Sequence, residues 1–307
     1  MAFTAQDVKN LREMTGVGMM DCKKALTEAD GDIDKAVEWL REKGLAAAQK
    51  KAGRIAAEGV AYADVFGNIG VVVEVNAETD FVAKNDTFIE FTKNVASVIA
   101  NENPADVDAL MACKYPGGNL TVEQMQQEKV LVIGENIKIR RFVRYAAGLS
   151  VPYVHMGGRI GVIINMDVAA GFENSSDIIE LGKDLAMQIA AMNPLYRDKS
   201  DVDPSVIEKE KEILLIQAKE DPKNATKPDN IIEKLVMGRI GKYYEENCLL
   251  QQAFVKGDKI TVDQHVTAVS KTVGSKISIN GFTRFEKGEG IEKKQEDFAA
   301  EIASLVK

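Results

Sequence analysis

At 307 residues, 45% hydrophobic and 28% charged, the chain is long enough for two to three domains, each with its own core. Its formal net charge of −8 argues against broad nucleic-acid binding, which needs a positive field. Three scattered cysteines and two histidines supply neither a disulfide framework nor a zinc pattern, and no apolar run reaches the length of a bilayer span.

The Met-Ala-Phe-Thr start has no signal-peptide core, so a cytoplasmic protein without cofactor or metal is expected. Thr4 followed by Asp7 forms a capping-box pattern, and Val8, Leu11 and Met14 then share one helical face. Gly16-Val17-Gly18 breaks this helix. A second helix over 19–29 turns Ala25, Leu26 and Ala29 inward, with Gly31 as its C-terminal cap. A third over 34–43 turns Ala36, Val37 and Leu40 inward, leaves Trp39 partly buried and closes at Gly44. Three short helices predict a bundle of the ubiquitin-associated type, small enough to gain stability from contact with a neighbour. Met19 and Met20 are adjacent, and helix positions differ by about 100°, so at most one can point fully inward. Either one packs and the other is a tolerated surface residue, or both form an adaptable patch flanked by Arg12 and Lys23. The run from Ala46 to Arg54, with Lys50 and Lys51, is a basic linker that suits a solvated helix or steering of an acidic partner.

Residues 69–75, Ile-Gly-Val-Val-Val-Glu-Val, predict a largely buried strand. A helix opening near Asp86 aligns Phe88, Phe91, Val95 and Ile99 on one face. Between them stands Thr79-Asp80-Phe81-Val82. The ring can fold back as a helix staple with Asp80 as cap, or project as an aromatic anchor into a partner.

The rest of the chain repeats. Gly67 to Val75 is echoed by Gly158 to Met166, 91 residues later. Thr121-Val122-Glu123-Gln124 returns at Thr261, and Ile137 to Tyr145 returns at Ile277, both 140 residues later, with Gly134 and Gly274 in register. Two matches at one offset predict two copies of a unit made of a hairpin, helices and a closing strand. The growth of the offset from 91 to 140 places 49 extra residues in the second copy, between Asp167 and Thr261. There Asp203-Pro204 opens a charged helix with Ile207, Leu214 and Ala218 as its stripe. After the breaks at Pro222 and Pro228, a second helix carries Ile231, Leu235 and Tyr243 near a/d spacing with Ile232, Val236 and Ile240 beside them. This predicts a protruding antiparallel helical hairpin, for internal packing, partner contact or self-association. From Gly288 the chain is Gly-rich and then helical through Phe298, Ile302 and Leu305. The fold class is α+β. The expected units are 1–54 (bundle and linker), 55–148 and 149–286 (the two copies, the second interrupted by the hairpin at 200–247) and a C-terminal module at 287–307.

Enzymatic signatures are missing. Gly238-Arg239-Ile240-Gly241-Lys242 is too short for a phosphate loop and lies in a helix pattern. Gly157-Gly158-Arg159-Ile160-Gly161 belongs to a hairpin, without the strand-to-helix context of a dinucleotide fingerprint. No nucleophile has a histidine nearby in sequence.

Leu11 to Leu26 and Glu74 to Ala83 resemble the two signatures of the bacterial elongation factor Ts family, and the resemblance extends over essentially the whole chain. Ala77 stands where that family usually carries Cys, and the hairpin insertion departs further. The resemblance implies a guanine-nucleotide exchange factor for elongation factor Tu, with no active site of its own. It implies that Asp80 and Phe81, completed by Thr79 and Val82, enter the GTPase near its Mg²⁺ and phosphates. It also implies partner contacts at Arg12, Met19, Met20, Lys23 and Lys51, at Ile133 and Gly134, and at His155. The expected partner is elongation factor Tu, GDP-bound or nucleotide-free, with a homodimer through the hairpin as a further expectation. No membrane and no direct nucleic-acid contact are expected. A chaperone-like adaptor and an RNA-binding accessory factor using Lys50, Lys51, Arg54 and the arginines at 140–144 are the rival readings. The turn after Met166 in the second copy lacks the Thr-Asp-Phe-Val arrangement, so the shared scaffold does not require the tip. With the family signature, that favours the projecting wedge over the staple.

Overall fold

A computed structural model describes residues 3–224, 227–257 and 259–292; the helix expected through Phe298, Ile302 and Leu305 lies outside them. Helices α1 (Ala5–Thr15), α2 (Met19–Glu28) and α3 (Ile33–Lys51) form the N-terminal bundle. Its core is Val8, Leu11, Cys22, Ala25, Leu26, Ala36 and Leu40. The capping box at Thr4 and Asp7 starts α1, and Gly16 ends it in the left-handed conformation. The bundle departs from the expected pattern at three residues. Met14 is 66% exposed, because the bundle core closes over Val8 and Leu11 without it. Helix α2 ends with Ala29 as its C-cap, and Gly31 follows outside it at φ 85°. Gly44 does not end α3, which continues to Lys51. A side chain at Gly44 would put its Cβ 3.3 Å from the Gln127 carbonyl oxygen, so this glycine admits a neighbouring helix rather than stopping its own.

That neighbour is α7 (Val122–Ile133), which belongs to the first repeat. The repeat starts with strands β1 (Glu58–Phe66) and β2 (Ile69–Ala77), continues through helices α4 (Asp80–Ala83), α5 (Asp86–Glu102), α6 (Val107–Ala112) and α7, and closes with β3 (Lys138–Tyr145). The sheet order is β1-β2-β3, antiparallel throughout. The second repeat runs β4 (Leu149–His155), β5 (Ile160–Val168), α8 (Ser176–Met192), α9 (Pro204–Glu220), α10 (Asp229–Asn247), α11 (Val262–Val273) and β6 (Ile277–Glu286), with order β4-β5-β6. Each sheet packs helices on one face: Phe88, Phe91, Val95 and Ile99 of α5 in the first, Ile178, Leu181, Leu185 and Ile189 of α8 in the second. The other faces meet through Ala61, Ala63, Val72, Ile163 and Phe285. Central strand β2 is therefore covered on both sides, which is why its sequence is a continuous β-branched run. Gly161 lets the sheets approach: a Cβ there would lie 2.7 Å from the Ala61 carbonyl oxygen.

The correspondence between repeats reaches fine detail. A β-bulge falls between Glu74 and Val75 in one and between Asn165 and Met166 in the other. Capping boxes at Thr121 and Thr261 start α7 and α11, and left-handed Gly134 and Gly274 end them. The inserted α9 and α10 pack on one another, but the inward row of α10 is Ile232, Val236 and Ile240, with Ile231 and Leu235 turned outward. The a/d assignment on that helix is thus rotated. The inward row sits opposite Ile207, Leu214 and Ala218, and supercoil spacing alone does not settle which of two adjacent apolar rows faces the partner helix.

Candidate functional site at the 79–82 tip

Strand β2 delivers the chain at Ala77 to a corner that α4 turns toward α5. The cap of α4 is Thr79, whose hydroxyl accepts the Val82 N–H at 3.4 Å; Asn85 caps α5 by accepting from Thr87 N–H at 2.9 Å. Asp80 is therefore free of capping duty, and Phe81 is no staple: it is 81% exposed. Val82 and Ala83 point the other way, into the first core, and anchor the tip. Asp80 is paired with Lys84 at 2.8 Å, and that hydrogen bond holds its carboxyl below the ordinary range. The corresponding corner of the second repeat carries one aromatic, Phe172, which is partly buried against the second core. The first corner thus adds a projecting ring that the second corner lacks.

The corner is held by the turn after α7. The Glu135 carboxylate accepts the Glu78 N–H at 3.1 Å, the Thr79 N–H at 3.0 Å and the Thr79 hydroxyl at 2.7 Å. Glu78 in turn accepts the Asn136 N–H at 2.6 Å and pairs with Arg54 at 3.4 Å. The Asn136 amide donates to the Arg54 carbonyl at 2.8 Å. None of these partners is local in sequence except across the corner itself, and sequence reasoning missed Glu135 and Asn136 as site residues. Their early signs were that Gly134-Glu135-Asn136 resembles a segment of the elongation factor Ts family and that Gly134 is repeated at Gly274, marking a fixed helix end.

Below the corner lies Glu74, fully buried. It accepts from Arg140 at 3.0 Å, Arg141 at 2.6 Å, Asn76 at 3.0 Å and the Gly288 N–H at 2.7 Å. Burial opposes its charge, but these bonds outweigh burial and keep the carboxyl below its ordinary value. Strict strand alternation would send Arg140 and Arg141 to opposite faces. The bulge, which pairs Glu74 with Arg141 and Val75 with Ile139, lets both reach one carboxylate. In the second repeat a neutral pair takes the same place, with Asn280 donating to Asn165 at 3.1 Å.

The other expected contact residues fall into separate groups. Arg12, Met19, Met20 and Lys23 line the bundle face formed by α1 and the start of α2, where Met19 is 52% and Met20 75% exposed. Neither methionine packs inward, because Cys22, Ala25 and Leu26 fill the core. Lys51, at the far end of α3, belongs instead with the tip. Burial and the charge of Arg54 push its ammonium below the ordinary lysine range, while Glu78 and Glu135 act the other way. Ile133 packs against the first core at the base of the tip, and Gly134 turns the chain there. His155 ends β4, its Nδ1 2.9 Å from the Tyr153 hydroxyl, with exposed Val154 and Met156 on either side. Arg140 and Arg141 are committed to Glu74, and Arg144 donates to the Ala100 carbonyl, so the basic run in β3 is spent internally.

No helix among the described residues is long and apolar enough to cross a membrane. The family profile described as "Elongation factor TS" matches residues 78–289. A curated relative named elongation factor Ts from Syntrophotalea carbinolica is 48% identical over 309 residues, covering 100% of both chains. Those of Clostridium perfringens, at 51% over 307 residues with 99% of each chain covered, and Magnetococcus marinus, at 48% over 309 residues with 100% of this chain and 99% of the relative covered, carry the same name.

Proposed function

The chain belongs to the elongation factor Ts family, and from that premise we propose that it is a guanine-nucleotide exchange factor for elongation factor Tu in cytoplasmic translation. The observation that carries the reading is Phe81, exposed on an anchored corner beside Asp80 while the aromatic of the second repeat's corner, Phe172, is turned inward. Exposing a phenyl ring to water costs about 2 kcal/mol relative to burying it, and binding a partner recovers that. The ring and carboxylate enter the GTPase near the Mg²⁺ that bridges the nucleotide phosphates. That ion demands near-ideal octahedral geometry, so displacing the elements around it leaves phosphate charge less neutralised and the nucleotide departs faster. No covalent bond is made or broken, so the chain is not an enzyme in its own right.

Arg12, Met19, Met20 and Lys23 present a second contact face on the bundle, Lys51, Ile133 and Gly134 border the tip, and His155 with its exposed neighbours offers a third contact on the second repeat. The division into 1–54, of ubiquitin-associated type, 55–148, 149–286 with the hairpin inserted, and 287–307 follows these roles. On the hairpin, outward Ile213, Ile216, Ile231 and Leu235 are the residues for pairing with a second copy. Nucleic-acid binding is the weaker reading, since the β3 arginines are engaged by the protein itself.

Linkage supplies a test. If the chain weakens GDP binding by a given factor, GDP weakens chain binding by the same factor. Titration calorimetry of the chain into nucleotide-free and GDP-loaded elongation factor Tu is expected to give much tighter binding to the nucleotide-free form. Equal affinities would contradict the proposal.

A further inference from the structure

We propose that Glu135 is the positioning residue of the tip, and that through it α7 fixes Phe81 relative to the N-terminal bundle; this rests on the exchange-factor reading above. Helix α4 has four residues, too few to hold its own shape, since a helical nucleus fixes several dihedrals for one hydrogen bond. The Glu78 and Thr79 N–H groups at its entry have no strand partner left, because β2 ends at Ala77. The Glu135 carboxylate takes both N–H groups and the Thr79 hydroxyl. A carboxylate suits this task because it is acceptor-only, and charge-assisted bonds are roughly twice as strong as neutral ones.

The molecule contains its own control. Position 275 in the second repeat corresponds to position 135 at the offset of 140 residues, and it is Ser275. Ser275 is buried, and its hydroxyl reaches only the Lys276 carbonyl, at 3.5 Å. The same scaffold therefore closes its α11-to-β6 turn with no carboxylate at this position. Glu135 occurs in the copy whose aromatic projects, and not in the copy whose aromatic, Phe172, folds inward.

Helix α7 carries the constraint onward. Its Leu131 and Val132 pack against the bundle core, Glu128 pairs with Arg41 of α3 at 3.6 Å, and Gly44 of α3 lies against the Gln127 carbonyl. Left-handed Gly134, at φ 86°, then turns the chain so that Glu135 faces the corner. Asn136 and Glu78 tie the same corner to Arg54, just beyond the end of α3. Bundle face and tip are thus presented to a partner as one unit. A partner held by the bundle meets the ring at a fixed place, the situation in which positioning lowers a barrier most.

The experiment measures release of labelled GDP from elongation factor Tu against concentration of the full chain, for the wild type, Glu135→Ala, Glu135→Gln, Phe81→Ala and the Glu135→Ala/Phe81→Ala double variant. Glu135→Ala is expected to lower the limiting rate about tenfold, with a smaller change in half-saturating concentration. Glu135→Gln keeps an amide oxygen for the two N–H groups and an NH₂ that can donate to Thr79, and is expected to stay within about threefold of the wild type. The double variant is expected to be no slower than Phe81→Ala by more than about twofold, because Glu135 acts through the ring. Hydrogen exchange at the Glu78 and Thr79 amides should quicken in Glu135→Ala while α5 stays protected, which separates a loosened tip from an unfolded chain. A double variant whose loss is the product of the two single losses overturns the proposal, as does a full rate for Glu135→Ala. A wild type that fails to accelerate release would instead overturn the exchange-factor reading.

Discussion

Replacing Glu74 by Gln removes one negative charge from a site with no solvent exposure and leaves Arg140 and Arg141 facing a neutral amide. Removing one partner of a buried ion pair typically costs 3–5 kcal/mol, because the other charge stays desolvated. Here the arginine side chains are 26% and 32% exposed, so water recovers part of that. Arg141 also stacks over Phe285, 4.2 Å from the ring centroid, and pairs with Glu289 at 2.9 Å. A loss of about 3 kcal/mol follows. For a repeat of this size that is a fall in melting temperature of about 12–24 °C, read by calorimetry or circular dichroism. The sign of the pH dependence is fixed by the direction of the shift. The folded carboxyl titrates below its unfolded value, so its contribution is complete above the unfolded pKa and is lost as pH falls through the folded one. The gap between wild type and Glu74→Gln should therefore be widest near neutral pH and close as pH falls below the ordinary carboxyl range. A gap that stays constant through acid, or a variant as stable as the wild type at pH 7, would refute the assignment of Glu74 as a charged knot.

The exposed and the packed phenylalanine of the two corners should separate stability from activity. Phe81→Ala is expected to shift stability by less than about 0.5 kcal/mol while abolishing most of the acceleration of GDP release. Phe172→Ala is expected to lose about 2 kcal/mol of stability, since its ring packs against the second core, and to leave exchange by the folded protein intact. The reverse pattern would place the functional ring in the wrong copy. Gly238→Ala and Gly241→Ala put methyl groups on exposed α10 positions where nothing lies within 4 Å. Each is expected to stabilise by up to about 0.8 kcal/mol through helix propensity, visible as a raised thermal midpoint, and an unchanged or lowered midpoint would contradict it.

Local signals were legible where periodicity and capping act alone. Strand β2, the α5 face of Phe88, Phe91, Val95 and Ile99, and the capping box at Thr4 all follow from short-range pattern. The two offsets, 91 and 140, located the insertion and matched positions that fold alike down to the bulges at Glu74 and Asn165. What stayed hidden is tertiary. Gly44 reads as a helix stop until the Gln127 carbonyl is seen beside it. Met14 fits its apolar stripe but finds no core opposite. The inward row of α10 depends on which face α9 presents. The Glu135 clamp joins residues more than 50 positions apart, and pattern within one segment carries no trace of such a contact.

The Asp80-Phe81 corner is the part of this chain expected to drive nucleotide release from the GTPase. Stopped-flow release of labelled GDP from elongation factor Tu, with the wild-type chain beside Asp80→Ala/Phe81→Ala, measures that contribution. Marked acceleration that saturates with wild-type concentration is expected, with loss of most of it in a double variant whose melting temperature is unchanged. No acceleration by the wild type, or full acceleration by the double variant, would contradict it.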